Sequence, residues 1–297
     1  NIKILKKYKK YIIILFLLII IFVIIKYFSK IESFKVKDNV AIIFSGHLRT
    51  YKDCFPTYKK NIYNELNNKY NIDVYCHLWD NEEENIDEAL KLYKPINYNI
   101  DKQINYKLPG FCNGLNFHYK KNHKGNGKFP YNTITGIINQ HYGLNISNSL
   151  SKNKDYKYKF RIRYDNLFES KLDINDLSKL NNNEIYIGNG HTKYLNGLQT
   201  NINDAFAYGK SNDMDKYFSF YKEINNILKK IKDKKLEKKY KYLYDNISIT
   251  LLFKYYMDIK KIKCNVSNIK FGLKRNKNIT YFQNCKYDYK GKKYIIN

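Results

Sequence analysis

Val40-Ala-Ile-Ile-Phe-Ser-Gly-His-Leu-Arg-Thr50 is the stretch that decides the fold. Its first five residues form an unbroken apolar run of strand length, as expected of a strand covered on both faces. Ser45 and Gly46 end that run. Beyond it Tyr58, Ile62 and Leu66 recur at four-residue spacing, which marks one face of a helix. Strand, polar turn and helix then repeat along the chain. Ile72-Asp-Val-Tyr-Cys76 is a second strand leading to Leu78-Trp79-Asp80, residues 86–93 read as a helix, and Tyr98 to Ile100 as a third strand.

Residues 101–132 lack any period and form a long loop, a kind of segment that often carries function. Thr133 is placed to cap a helix bearing Ile134, Ile137, Ile138 and His141 on one face. Strands follow at Lys159 to Tyr164, Glu184 to Ile187 and Ala205 to Tyr208. Ser211 is the expected N-cap of a helix through Met214, Tyr217, Phe218 and Tyr221. The lysine-rich stretch 222–242 reads as an amphipathic helix. Ile247, Leu251 and Tyr255 suggest one more helix, and Ile262 to Val266 one more strand. Such alternation predicts an α/β fold with a mostly parallel sheet flanked by helices. Ligands of these sheets bind beyond the carboxyl ends of the strands. Gly46 to Arg49, His77 to Asp80 and Arg163 to Asp165 all fall there.

Only four of the 54 basic residues are arginine; the rest are lysine, beside 40 Asn and 31 Tyr. Lys, Asn, Ile and Tyr are products of A/T-rich codons, so their abundance follows from codon drift, whereas the arginines that remain mark positions that need one. Arg49 sits in Phe44 to Thr50, and Arg161 with Arg163 in Phe160 to Asp165. A guanidinium grips phosphate or carboxylate with two parallel hydrogen bonds, which lysine cannot do. The net charge of +27 and pI near 9.6 are spread along the whole chain without a nucleic-acid recognition motif, so no specific nucleic-acid partner is expected.

Gly46 lets a backbone approach a ligand, and Arg49 or the helix start after it can hold phosphate. An ordinary strand-to-helix turn with a surface arginine is the plainer reading. In Arg161-Ile-Arg-Tyr-Asp165, strand periodicity sends both arginines and Asp165 to one face. There they either pair with one another or bind an anion, and Asp165 a metal. Asp204, before the apolar Ala205-Phe-Ala-Tyr-Gly209, is a candidate general base or a strand cap. Trp79, the single tryptophan, is a stacking platform or a core residue.

At the amino end, lysines precede an apolar run from Tyr11 to Ile25, and no small-residue cleavage site follows. This predicts a cytoplasmic tail (1–10), a signal-anchor (11–28), a stalk (29–38) and a catalytic domain (39–297). The protein would then be single-pass, in an endomembrane or host membrane. The five cysteines show no metal spacing, though Cys264 and Cys285 could close a short loop. Four Asn-x-Ser/Thr sites, at Asn145, Asn246, Asn265 and Asn278, are no more than an Asn-rich chain supplies by chance.

Phe44-Ser-Gly-His-Leu-Arg-Thr-Tyr51, Asp73-Val-Tyr-Cys-His-Leu-Trp-Asp80, Leu92-Tyr-Lys-Pro95, Tyr158-Lys-Phe-Arg-Ile-Arg-Tyr-Asp165 and Asp204-Ala-Phe-Ala-Tyr-Gly209 come in a telling order. Over residues 40 to 275 the chain resembles GT-A-like glycosyltransferases of large DNA viruses and surface-polysaccharide gene clusters. The resemblance implies a Rossmann-like fold and a nucleoside-diphosphate sugar as donor. The acceptor would be a hydroxyl of a glycan, glycoprotein or glycolipid. It also implies donor contacts from Gly46 and Arg49; with the residue reading above, Ser45, Trp79, Asp80 and Arg161 join as expected donor contacts, and Arg163, Asp165 and Asp204 as expected catalytic residues. Asp165 falls where that family's Asp-x-Asp motif holds a divalent cation, Mn or Mg. The residue two before it is Arg163 instead of Asp, so arginine can replace the metal as counter-charge. The rival reading is an inert membrane-tethered basic binding or scaffold protein.

Overall fold

A computed structural model describes residues 2–32, 37–81, 85–106, 109–112, 115, 130–188, 194–195, 198–199, 202, 204–244, 247, 249–275, 278–281, 285–287 and 293–295. The chain divides into two units, residues 1–37 and 38–297. The first holds one helix, α1 (Ile2–Glu32). Among the described residues no helix is long and apolar enough to cross a membrane. That overturns the single-pass anchor read from Tyr11 to Ile25 and the membrane localisation drawn from it. Fifteen apolar residues in a helix rise about 22 Å, whereas a hydrocarbon core is about 30 Å thick. The helix also continues to Glu32, into the expected stalk, and residues 33–36 of that stalk lie outside the described residues.

In the second unit the elements follow in the order β1 (Asn39–Gly46), α2 (Tyr51–Tyr58), a π turn (Lys59–Tyr63), α3 (Asn64–Asn67), β2 (Asn71–Trp79), α4 (Ile86–Tyr93) and β3 (Asn97–Asp101). Then come α5 (Pro130–Leu150), β4 (Tyr158–Ile162), β5 (Asn166–Phe168), α6 (Ile174–Ser178), β6 (Glu184–Ile187), β7 (Tyr194–Leu195), β8 (Leu198–Gln199) and β9 (Phe206–Lys210). The rest comprises α7 (Ser211–Phe218), α8 (Phe220–Lys232), α9 (Ile249–Ile259), β10 (Lys263–Val266), β11 (Phe271–Arg275), β12 (Asn278–Tyr281), β13 (Cys285–Tyr287) and β14 (Lys293–Ile295).

Seven strands make the main sheet in the order β10-β6-β9-β4-β1-β2-β3. β1 lies parallel between β2 and β4, and its side chains are buried on both faces. Period-two alternation divides them. Ala41 and Ile43 join the core with Ile138 and Leu144 of α5, Tyr217 of α7 and Phe253 of α9. Val40, Ile42 and Phe44 join the core that contains Tyr58 of α2 and Tyr93 of α4. α8 packs through Ile224, Ile227, Leu228 and Ile231, at the three- and four-residue spacing of a helix face. Asn85 caps α4 by accepting from the Glu88 amide at 3.0 Å.

One strand departs from the parallel expectation. β9 pairs antiparallel with both β4 and β6. Its reversal brings its amino end, and Asp204 before it, to the edge where β4 finishes.

Several local expectations need correction. α5 starts at Pro130, so Thr133 lies inside the helix instead of capping it. Ser211 is the first residue of α7, and Lys210 stands at the cap without a capping bond from its side chain. The helix expected over 222–242 ends at Lys232, where the chain leaves through Lys234 in a left-handed conformation. Crowded lysine charge favours that exit, since like charges three and four residues apart repel. Cys264 is a free thiol, so the loop to Cys285 is not closed by a disulfide.

Candidate functional site

The turn after β1 is locally unusual. Gly46 has φ +130°, a conformation suited to glycine, and Arg49 has φ +45°. A non-glycine residue pays about 1 kcal/mol or more for the latter. Two hydrogen bonds from outside hold the neighbourhood in place: Thr50 Oγ1 donates to the Lys274 carbonyl, and Lys274 N donates to the Asp165 carbonyl at 2.9 Å. β11 thus ties the turn after β1 to the turn after β4.

Arg49, Arg163 and Asp165 meet there. Arg163 grips Asp165 through Nε to Oδ1 at 2.8 Å and Nη2 to Oδ2 at 2.9 Å. Arg49 Nη1 adds a bond to Oδ2 at 3.2 Å. The Asp165 side chain is 1% exposed and that of Arg49 34%, so the arginine faces outward over a buried carboxylate. Arg163 Nη1 reaches Gln140 Oε1 at 3.3 Å, and Gln140 Nε2 donates to Asp204 Oδ2 at 2.6 Å. Burial works against the charge of Arg163, yet Asp165 outweighs it and raises its pKa.

The strand does not carry both arginines and Asp165 on one face, as periodicity suggested. β4 ends at Ile162, so Arg163 and Asp165 lie in the turn beyond. Arg161 stays inside the sheet, opposite Ile43, with no exposure. Its guanidinium donates to the carbonyls of Ser45 (2.9 Å), Ile162 (2.6 Å) and Asp204 (3.3 Å). Burial pulls its pKa down to about 10, which keeps it charged at neutral pH. It braces three chain segments of the site from beneath. Three guanidiniums against the carboxylates of Asp165 and Asp204 leave the cluster net positive, which favours an anion.

Other expected positions are less accessible. Ser45 is buried, with Oγ unpartnered. Trp79 is 2% exposed, packed edge-on to His77 at 4.5 Å and stacked on Tyr142 at 6.1 Å, so it serves the core. Asp80 is exposed at the end of β2, its amide donating to the Asp101 carbonyl. Asp101, at the end of β3, collects bonds from His77 Nε2, Asn99 Nδ2 and Tyr142 Oη. Sequence reasoning missed Asp101 and Gln140. The strand-end rule could have found Asp101, but Gln140 gave no signal because it lies mid-helix with no rare or periodic feature.

Asp165 does not suit a divalent cation. Both its oxygens already accept guanidinium bonds, and cation sites need carboxylates turned toward the ion. Among the described residues no group of three or more His, Cys, Asp or Glu could hold a metal ion.

α5 crosses close to the sheet at Gly143. A Cβ there would stand 2.6 Å from Ser45 Oγ and 2.7 Å from His77 Nδ1. Gly143→Ala is therefore expected to destabilise by about 1–3 kcal/mol through overpacking. Chemical denaturation checks it, and an unchanged midpoint would mean that the helix shifts freely.

His141, one residue from Gln140, is buried between Phe220 and Phe253 at 4.7 Å from each ring, and burial lowers its pKa to about 4. A base whose folded pKa is depressed binds its proton more readily when unfolded, so stability should fall as pH drops from 6.5 to about 4. Each pH unit in that window costs about 1.4 kcal/mol for one such group. The melting temperature of His141→Phe should fall less steeply between pH 7 and 4.5 than that of the unaltered protein; parallel curves would contradict this.

No family model and no curated protein matches the sequence. Among solved structures the chain is similar to a Desulfovibrio desulfuricans G20 protein provisionally described as a nucleotide-diphospho-sugar transferase. The TM-score is 0.35 with 8% identity, over 77% of this chain and 79% of that one. It is also similar to a Bacillus anthracis protein provisionally described as a glucose-1-phosphate thymidylyltransferase, in complex with sucrose. There the TM-score is 0.34 with 11% identity, over 79% of this chain and 89% of that one. Likeness at this level concerns the path of the chain and says nothing of chemistry.

Proposed function

We propose that the second unit is a glycosyltransferase that takes its sugar from a nucleoside diphosphate and delivers it to a hydroxyl of a glycan, glycoprotein or glycolipid. One observation carries the reading: Arg49, Arg163, Gln140, Asp165 and Asp204 form one bonded cluster at the strand ends, which Arg161 beneath it makes net positive. Arg163 has five N–H donors, and three of them go to Asp165 and Gln140. The other two, with outward-facing Arg49, are the groups to receive a diphosphate. As the acceptor oxygen bonds to the anomeric carbon, the bond from that carbon to the diphosphate breaks and its electron pair leaves with the phosphate. The two guanidiniums stabilise that charge. Asp204, held by the Gln140 amide, takes the acceptor proton if the reaction inverts. Arg161 positions the site through the carbonyls on either side of it. An inert basic scaffold would have no need for this convergence.

Thermal denaturation of the full chain with a panel of nucleoside diphosphates and their sugars tests the reading. A matching donor at a hundredfold its Kd should stabilise by about 2.7 kcal/mol. If no member of the panel moves the transition and none is hydrolysed, the proposal fails.

A further inference from the structure

Residues 222–241 hold nine lysines and three acids, a net +6 within twenty residues. The chain-wide frequency, 50 in 297, would put about three lysines there. Codon drift scatters lysine without regard to position, so a nearly threefold excess calls for another cause. All nine are exposed, and they begin on the outer face of α8 and continue past its end. From Tyr221 to Lys232 the helix rises about 16 Å, which makes the feature a ridge instead of a spot.

The ridge starts beside the sheet edge that carries the site. Tyr221, at the amino end of α8, packs edge-on to Tyr142 of α5 at 5.3 Å. Tyr142 in turn bonds Asp101 at the end of β3, on the same carboxyl edge of the sheet as the arginine cluster. Tyr106 joins through its hydroxyl to Asn225 at 2.5 Å. These three tyrosines are half-buried, and the hydroxyls of Tyr142 and Tyr106 are held by Asp101 and Asn225.

We infer that this face, from Tyr142 and Tyr221 along the lysine ridge, binds a carboxylated glycan as the acceptor. The inference rests on the transferase reading above. Tyrosine offers an apolar ring with a polar tip, suited to the faces and hydroxyls of sugars, and the lysines complement a row of carboxylates. A membrane surface is a poorer match, because the apolar residues of α8 (Ile224, Ile227, Leu228 and Ile231) are all buried in the core and leave nothing to insert. A nucleic acid is a poorer match too, since no nucleic-acid recognition motif accompanies the lysines.

Binding of the full chain to an octameric oligogalacturonate is the test, with maltooctaose, duplex DNA of equal charge and anionic lipid vesicles as comparators. Oligogalacturonate should bind, weaken as salt rises, and exceed all three comparators. Lys229→Glu, Lys230→Glu and Lys234→Glu together should weaken it by about tenfold or more while the melting temperature holds, as these side chains are exposed. Tyr221→Ala should weaken it without altering the salt slope. Equal binding by the triple variant, or no effect of Tyr221→Ala, would overturn the inference. So would stronger binding of DNA or vesicles, which would make the ridge a general polyanion or lipid surface. Nucleotide-sugar binding without oligogalacturonate binding would sink this inference and leave the transferase reading standing. Oligogalacturonate binding without any nucleotide-sugar response would mean a glycan-binding face on a protein that is not this transferase.

Discussion

Asp165→Ala is expected to lower the unfolding free energy by about 3–5 kcal/mol, because removing one partner of a buried ion pair strands the other. Here the carboxylate is 1% exposed and holds Arg163 in a two-point grip, with Arg49 on the same oxygen. The loss should appear as a lower denaturation midpoint without a changed slope. Removing both charges, with Asp165→Ala and Arg163→Met together, should recover part of the stability, since the buried Arg163 guanidinium is then no longer stranded and Arg49, 34% exposed, can turn to water. A cost under about 1 kcal/mol for Asp165→Ala alone would mean that water or neighbouring groups already solvate the arginines.

Arg163→Lys is expected to cut turnover by roughly a hundredfold to a thousandfold, the usual effect of losing one donor to transition-state charge. Lysine keeps the positive charge and a contact to Asp165 but cannot bond Oδ1 and Oδ2 in parallel. Turnover and melting temperature must be measured together on the best donor found. Near-normal turnover with a depressed melting point would show that the Arg163–Asp165 pair is structural only. The same assay with a chelator bears on Asp165: undiminished activity is expected, given that its two oxygens are already taken by arginine.

The strands and helices of the second unit were legible in the sequence because burial writes itself as pattern. Val40 to Phe44 is apolar throughout, and β1 is covered on both faces. Glu184 to Ile187 and residues 86–93 stand where their composition put them. The scarcity of arginine also drew attention to Arg49 and Arg163, which meet across 114 residues of chain at one carboxylate. What misled was charge and length near the ends of elements. The apolar run at the amino end is a helix but falls short of a membrane's thickness, and the lysine-rich helix stops at Lys232.

The two arginines of the Arg161-Ile-Arg-Tyr-Asp165 stretch are alike in sequence and opposite in place. Nothing local separates them; the strand simply ends at Ile162. Arg161 is therefore sealed against backbone carbonyls while Arg163 turns into the cluster. Asp204 and Gln140 entered the site through long-range packing: β9 runs against its neighbours, and α5 crosses the strand ends. Periodicity records which face of an element is covered, and so the sequence by itself determined the strands of the main sheet, most of the helices that cover it and the α/β class. It does not record strand direction or where a strand stops pairing, because these depend on contacts between residues far apart in the chain. Only the tertiary structure could decide which charged groups share a site.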